Sequence, residues 1–158
     1  MGYPRLILIT FGLILSSFSA FASADEGHSI VPAQEKAIAE KLGVEGPSET
    51  TGITSMQILG AIDLEQDFAA LAGRSMRIRK VVIAPNGTVG VHQHTARPGV
   101  LYMLDGELTE FRNDHDGGQI RKTGDVSFEK NGVIHWWRND SSSEATALVI
   151  DIIADKDS

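Results

Sequence analysis

From residue 53 to the C-terminus, apolar and polar positions alternate in short runs punctuated by glycine, the pattern of half-buried β-strands. Met56, Ile58 and Ile62 alternate in the first run. Residues 75–84 form a second, closed by the turn signal Ala84-Pro85-Asn86-Gly87, and residues 89–95 a third. Residues 99–104 end at Asp105-Gly106 and continue as residues 107–112, which predicts a hairpin. Residues 113–118 are a polar tip. Residues 125–128 and 133–138 flank a Lys130-Asn131-Gly132 turn, and residues 145–153 form the last strand. Many short strands with almost no helix among them predict an all-β barrel or sandwich. Upstream the period changes. Residues 32–42 predict a short helix, with Pro32 in its first turn, Gly43 as its stop and Ile38 and Leu42 as an i, i+4 apolar stripe. Residues 45–52 are polar and turn-rich, a linker.

The N-terminus has a different pattern again. Arg5 precedes an apolar run over residues 6–15, followed by small residues that end in Ala22-Ser23-Ala24 before Asp25. This is the pattern of a secretory signal peptide cleaved after Ala24, and the apolar run is short for a membrane span. The expected organisation is therefore a signal peptide over 1–24, a helix and linker over 25–52, and a single barrel domain over 53–158. The mature protein is expected to be periplasmic or secreted, with no membrane partner after cleavage. The formal charge of −7 becomes one unit more negative when Arg5 leaves with the leader. With no basic cluster, such a chain is a poor partner for nucleic acid. It has no cysteine, so disulfides, thiolate ligands and cysteine nucleophiles are excluded, and any metal must be held by nitrogen and oxygen.

Candidate chemistry gathers in two segments. His92-Gln93-His94 places two imidazoles on one side of a strand, since alternate residues share a face. His135 follows a Gly124-Asp125 turn and an Asn131-Gly132 turn. Together the three could form a facial set of nitrogen ligands with open positions, suited to zinc, iron, copper or nickel. Trp137, two residues past His135, is expected in the same interior as a wall of a substrate pocket or as barrel filling. Trp136 is expected on the opposite face with Val89 and Val91, buried by the N-terminal segment or by a second subunit. That apolar face motivates an expected homodimer. Arg97 is a candidate for binding a carboxylate substrate. Tyr102 falls on the face away from the metal, and Glu107 and Glu129 are the nearest carboxylates. His115 and His28 read as surface residues. No catalytic residue is assigned.

The two segments resemble the paired motifs of the cupin superfamily. The first motif, G(X)5HXH(X)3,4E(X)6G, resembles Gly87 to Gly106 with the opening glycine one residue nearer the histidines. The second, G(X)5PXG(X)2H(X)3N, aligns with Gly124, Lys130, Gly132, His135 and Asn139, with Lys130 in place of proline. The resemblance implies a jelly-roll β-barrel holding one divalent metal through His92, His94 and His135. The family's glutamate ligand falls on Gly99, so the site resembles the three-histidine variants, thiol dioxygenases among them. A glutamate restored at Gly99 is expected to reach the metal and tighten its binding. Iron(II) is the favoured metal, with zinc, manganese, nickel or copper as alternatives. The implied function is a metal-dependent oxygenase, lyase or isomerase acting on a small organic molecule; the alternative is a non-catalytic small-molecule binding or sensing module.

Overall fold

One long strand organises the molecule. In the computed structural model, which describes residues 30–42 and 44–155, strand β2 (Arg74–Gln93) runs for 20 residues. Its first half lies between β1 (Thr51–Asp63) and β8 (Ala145–Ala154), and its second half pairs with β7 (Ile134–Arg138). With β3 (Gly99–Asp105), β4 (Glu107–Arg112), β5 (Gly118–Lys122) and β6 (Val126–Glu129), the antiparallel order is β5-β4-β7-β2-β8-β3-β6, and β1 sits on the outer edge of β2. The sheet wraps into a barrel, as the alternation predicts. The signal-peptide expectation and His28 lie outside the described residues.

Several local expectations change. The turn signal at Pro85-Asn86-Gly87 does not end a strand. Asn86 takes a positive φ of 63°, which asparagine tolerates, and β2 bends there from one set of partners to another. Strands β3 and β4 do not form a hairpin. Gly106, at φ 75°, instead hands the chain across the barrel: β3 pairs with β6 and β8, and β4 with β5 and β7. Residues 118–122, which carry no strand signal in our reading, pair with β4 as β5.

A bulge corrects the face of Val89. The register against β7 runs from Val89↔Trp137 to His92↔His135, three residues on one strand against two on the other. The extra residue inverts the alternation. Val89 therefore turns into the barrel beside Trp137, while Val91 stays outside with Trp136.

The helix α1 (Ala33–Lys41) forms where the sequence predicts it but presents a different face. Glu35 and Ala39 are buried, whereas Leu42 of the predicted stripe is 61% exposed. Rotation is set by Glu35, whose carboxylate receives two hydrogen bonds from Arg97 (2.8 and 2.7 Å). Ala39, with Val44, then packs against Val91, Ile134 and Trp136. The apolar face that suggested a second subunit is thus covered by the chain's own N-terminal segment. Inside the barrel, Val81, Ile83, Leu101, Met103, Leu108, Ala147 and Val149 pack around Trp137. Each such large side chain contributes roughly 1.5–3 kcal/mol of burial.

Candidate metal centre

Register delivers the three histidines to one point. His92 at the end of β2 is paired with His135 on β7, and His94 follows just past the strand end. All three are buried. Their Nε2 atoms converge: His94 lies 2.9 Å and His92 3.2 Å from His135 Nε2.

The outer nitrogens fix what those inner atoms are. His92 Nδ1 donates to the Gly90 carbonyl (2.8 Å), His94 Nδ1 to the Arg97 carbonyl (2.9 Å) and His135 Nδ1 to the Glu110 carboxylate (2.8 Å). A carbonyl or carboxylate only accepts, so each neutral ring carries its proton on Nδ1 and an Nε2 lone pair. The short Nε2 separations are therefore not hydrogen bonds between neutral rings. One added proton could bridge two of the lone pairs but not all three. A metal ion at the ordinary metal–nitrogen distance of about 2.0–2.1 Å would put neighbouring ligand nitrogens roughly 3–3.4 Å apart, close to what is seen. The residues fit a divalent cation. Burial, then the neighbouring His135, pushes the His92 imidazolium pKa well below its ordinary value; the same causes bring His94 down to about 2.

Beside Gly99, a neighbouring strand brings a carboxylate close to the histidines. Gly99 pairs with Glu129 on one side and Asp151 on the other. Glu129 is buried, with its carboxylate oxygens 3.7 Å from His94 Nε2 and 3.8 Å from His135 Nε2. Burial raises its pKa above the ordinary carboxyl value, against the opposing pull of His135 and Arg97. Gly99 itself could not restore the family's ligand cheaply. A Cβ there would sit 2.7 Å from the Ile150 carbonyl oxygen, so the expectation that a glutamate at this position reaches the metal has no steric support.

Behind His135 lies Glu110, which our reading of the sequence passed over. It is wholly buried and accepts from His135, Ser127 (2.7 Å), Arg112 (2.9 Å) and Arg121 (3.0 Å). Burial alone would raise its pKa, but the bonds from His135, Ser127 and Arg112 hold it at about 2. A carboxylate behind a ligating histidine fixes its tautomer and orientation. The available signal was alternation: Leu108 and Glu110 share the inward face of β4, whose partner β7 carries His135.

The remaining candidates separate. Trp137 is buried with its ring edge-on to His135, centroids 5.5 Å apart, and walls a cavity of about 40 Å3 that also touches His92 and Glu129. Arg97 borders the same cavity, but its three nitrogens bond Glu35 and Asp151. Arg77 (3.1 and 3.0 Å) and Arg79 (2.9 Å) converge on the same Asp151 carboxylate. Tyr102 faces outward and half-exposed Glu107 pairs with Lys122 at 3.8 Å, both away from the histidines. His115 is exposed beside Asp114.

Residues 79–151 match the Cupin_2 family, described as a cupin domain. The barrel has the cupin jelly-roll fold. The cupin segment is similar to Germin-like protein 1 of Brassica napus, 29% identical over 106 residues that cover 65% of this chain and 50% of the relative. Germin-like protein subfamily 3 member 1 of Arabidopsis thaliana is 27% identical over 110 residues, 68% of this chain and 52% of the relative. The chain thus spans about half the length of these curated relatives. Among solved structures, it is similar to the polyketide cyclase RemF from Streptomyces resistomycificus (TM-score 0.49, 20% identity, 69% of this chain and 70% of that one). It is likewise similar to a predicted oxalate decarboxylase from Thermotoga maritima (TM-score 0.48, 22% identity, 70% of this chain and 98% of that one).

Proposed function

We propose that this cupin is an exported metal-dependent enzyme acting on a small organic molecule bound beside one divalent ion, with oxygenase chemistry first and lyase or isomerase chemistry second. The observation that carries the reading is the convergence of three buried Nε2 lone pairs whose tautomers are set from behind. Bound there, the metal would supply Lewis acidity and open positions for substrate and dioxygen. Iron(II) is the ion we favour, because neutral imidazoles joined by a carboxylate on one face suit it. Glu129 is the carboxylate we assign to that role in place of Gly99. In the metal-free protein, burial against the histidines raises its pKa, so the same group can also hold a proton. Trp137 orients His135 and closes the apolar wall.

The test starts with metal analysis of the purified chain, then oxygen consumption by the iron(II)-loaded protein against small thiols, phenols and carboxylates. Uptake that disappears in His135→Ala supports the enzyme. Failure to retain any divalent metal overturns it, and metal retention with ligand binding but no turnover would favour the sensing module. Export rests on the leader pattern and is tested by an intact mass lacking residues 1–24. Homodimerisation is kept in the proposal on a new footing, the exposed Ile58, Leu59 and Ile62 of edge strand β1, and light scattering decides it.

A further inference from the structure

We propose that Arg79 is an anion anchor in the cavity and that the molecule bound beside the metal is a short-chain carboxylate. This deepens the metal-site reading above and rests on it. Arg79 lies on the inward face of β2, 2% exposed, and lines the cavity that His92, Glu129 and Trp137 also border. Its bonding is incomplete. Nη2 donates to Asp151, and Nη1 reaches only the Met56 sulfur at 3.9 Å, a weak acceptor. Among the described residues, Arg79 Nε is the buried side-chain nitrogen or oxygen that has no hydrogen-bond partner.

Its neighbours differ. Arg77 gives two nitrogens to Asp151, and Arg97 gives three to Glu35 and Asp151. A buried donor left unsatisfied is costly, the more so on a charged group, and a ligand that accepts from it would recover that cost. Charge points the same way. Three guanidinium groups face two carboxylates, Asp151 and Glu35, while Glu129 is turned to the histidines. Two hydrogen-bonded carboxylates are thus shared among three guanidinium groups, and Glu129 acts on Arg79 and Arg97 only through space, across the same cavity. Burial, opposed by Asp151, already brings the Arg79 pKa down to about 10, a sign that this cation lacks enough counter-charge.

Size and lining narrow the class. A cavity of about 40 Å3 holds roughly three waters, hence a body of only a few heavy atoms. Its other walls include Val81, Leu101 and Val149, which suit a short aliphatic chain and leave an acid group for Arg79. A neutral polar ligand would meet the guanidinium without cancelling its charge.

The experiment is calorimetric titration of the cobalt(II)-loaded full chain with propionate and with propionamide, its neutral isostere. We expect one propionate per chain, propionamide weaker by at least about tenfold, and Arg79→Gln losing about tenfold for propionate while keeping cobalt(II) affinity. Arg79→Lys should recover part of the loss. Equal binding of acid and amide, no propionate binding, or wild-type propionate affinity in Arg79→Gln would each overturn the anchor. If Arg79→Gln does not fold, the acid–amide contrast on the wild-type protein decides. The two readings fail separately. Loss of cobalt(II) retention strikes the metal site, whereas Arg79-dependent propionate binding to the metal-free chain would still support the anchor.

Discussion

The barrel encloses two polar clusters that are opposites. In one, three imidazoles turn their Nε2 atoms toward one another with no donor between them. In the other, which borders the same cavity, three arginines converge on Asp151 with donors in excess. Both are buried, and His92, His135, Arg77, Arg79 and Asp151 sit on strands, whereas His94 and Arg97 lie in the turn between β2 and β3. The imidazole cluster is arranged to accept a cation and is held from behind by carbonyls and Glu110. The arginine cluster holds itself together internally and uses Glu35 to fasten α1 onto the barrel. Burial alone therefore does not identify a ligand site. The informative quantity is the sign of what is left unsatisfied.

The largest expected effect breaks the imidazole cluster. His135→Ala should abolish divalent metal retention in mass-spectrometric metal analysis, whereas His115→Ala should leave it unchanged. Metal retained by His135→Ala would mean that the convergence of lone pairs is not the binding site.

The arginine cluster should show its weight in stability instead. Asp151→Ala leaves buried Arg77 and Arg79 without their carboxylate, while Arg97 keeps Glu35, and should cost about 3–5 kcal/mol in urea unfolding. The same contact predicts a pH dependence. Burial alone would raise the Asp151 pKa, but Arg77, Arg79 and Arg97 hold it below its ordinary value. The unfolded chain, with a carboxyl pKa near about 3.9, therefore takes up the proton first. This contribution to stability is full above roughly pH 5 and falls as pH drops through 4 and toward the folded-state pKa. A wild-type stability that does not decline over that range, or declines equally in Asp151→Ala, would remove the argument.

Glu110→Gln sharpens the contrast, because it leaves the arginine cluster untouched. It should weaken metal affinity by about 10–100-fold with the three ligands still present. Stability alone changing, with metal affinity intact, would make Glu110 merely structural.

Smaller effects separate Gly99 from Glu129. Gly99→Glu should destabilise by about 1–3 kcal/mol through overpacking against β8 and should not tighten metal binding. Glu129→Gln should weaken binding by about tenfold or less, since the three imidazoles remain. Tighter binding in Gly99→Glu would return the carboxylate role to residue 99.

Strand content and the histidine trio were legible because alternation and spacing are local. The places where our reading failed depend on pairing. A continuous β2, a β3 that does not fold back on β4, and an inward Val89 all follow from which strands are neighbours and from one bulge. Helix α1 was placed correctly and rotated wrongly, because apolar periodicity could not anticipate that a glutamate would be the buried residue. Arg77 and Arg79 share the alternating face of Val81 and Ile83, and Asp151 that of Val149 and Ile153. The inward charges were visible there in outline, but not their partners.

The chain by itself determined which residues can bind a metal: five histidines, three at matched spacing, and no cysteine. It also determined that a barrel of short strands would carry them, since a period of two needs only neighbouring residues. Tertiary structure alone decided the rest. Glu129 pairs with Gly99 beside the histidines, Glu110 backs His135, and Arg79 retains a donor without a partner. Each of these depends on cross-strand register, which brings together residues dozens of positions apart and is invisible to any local pattern.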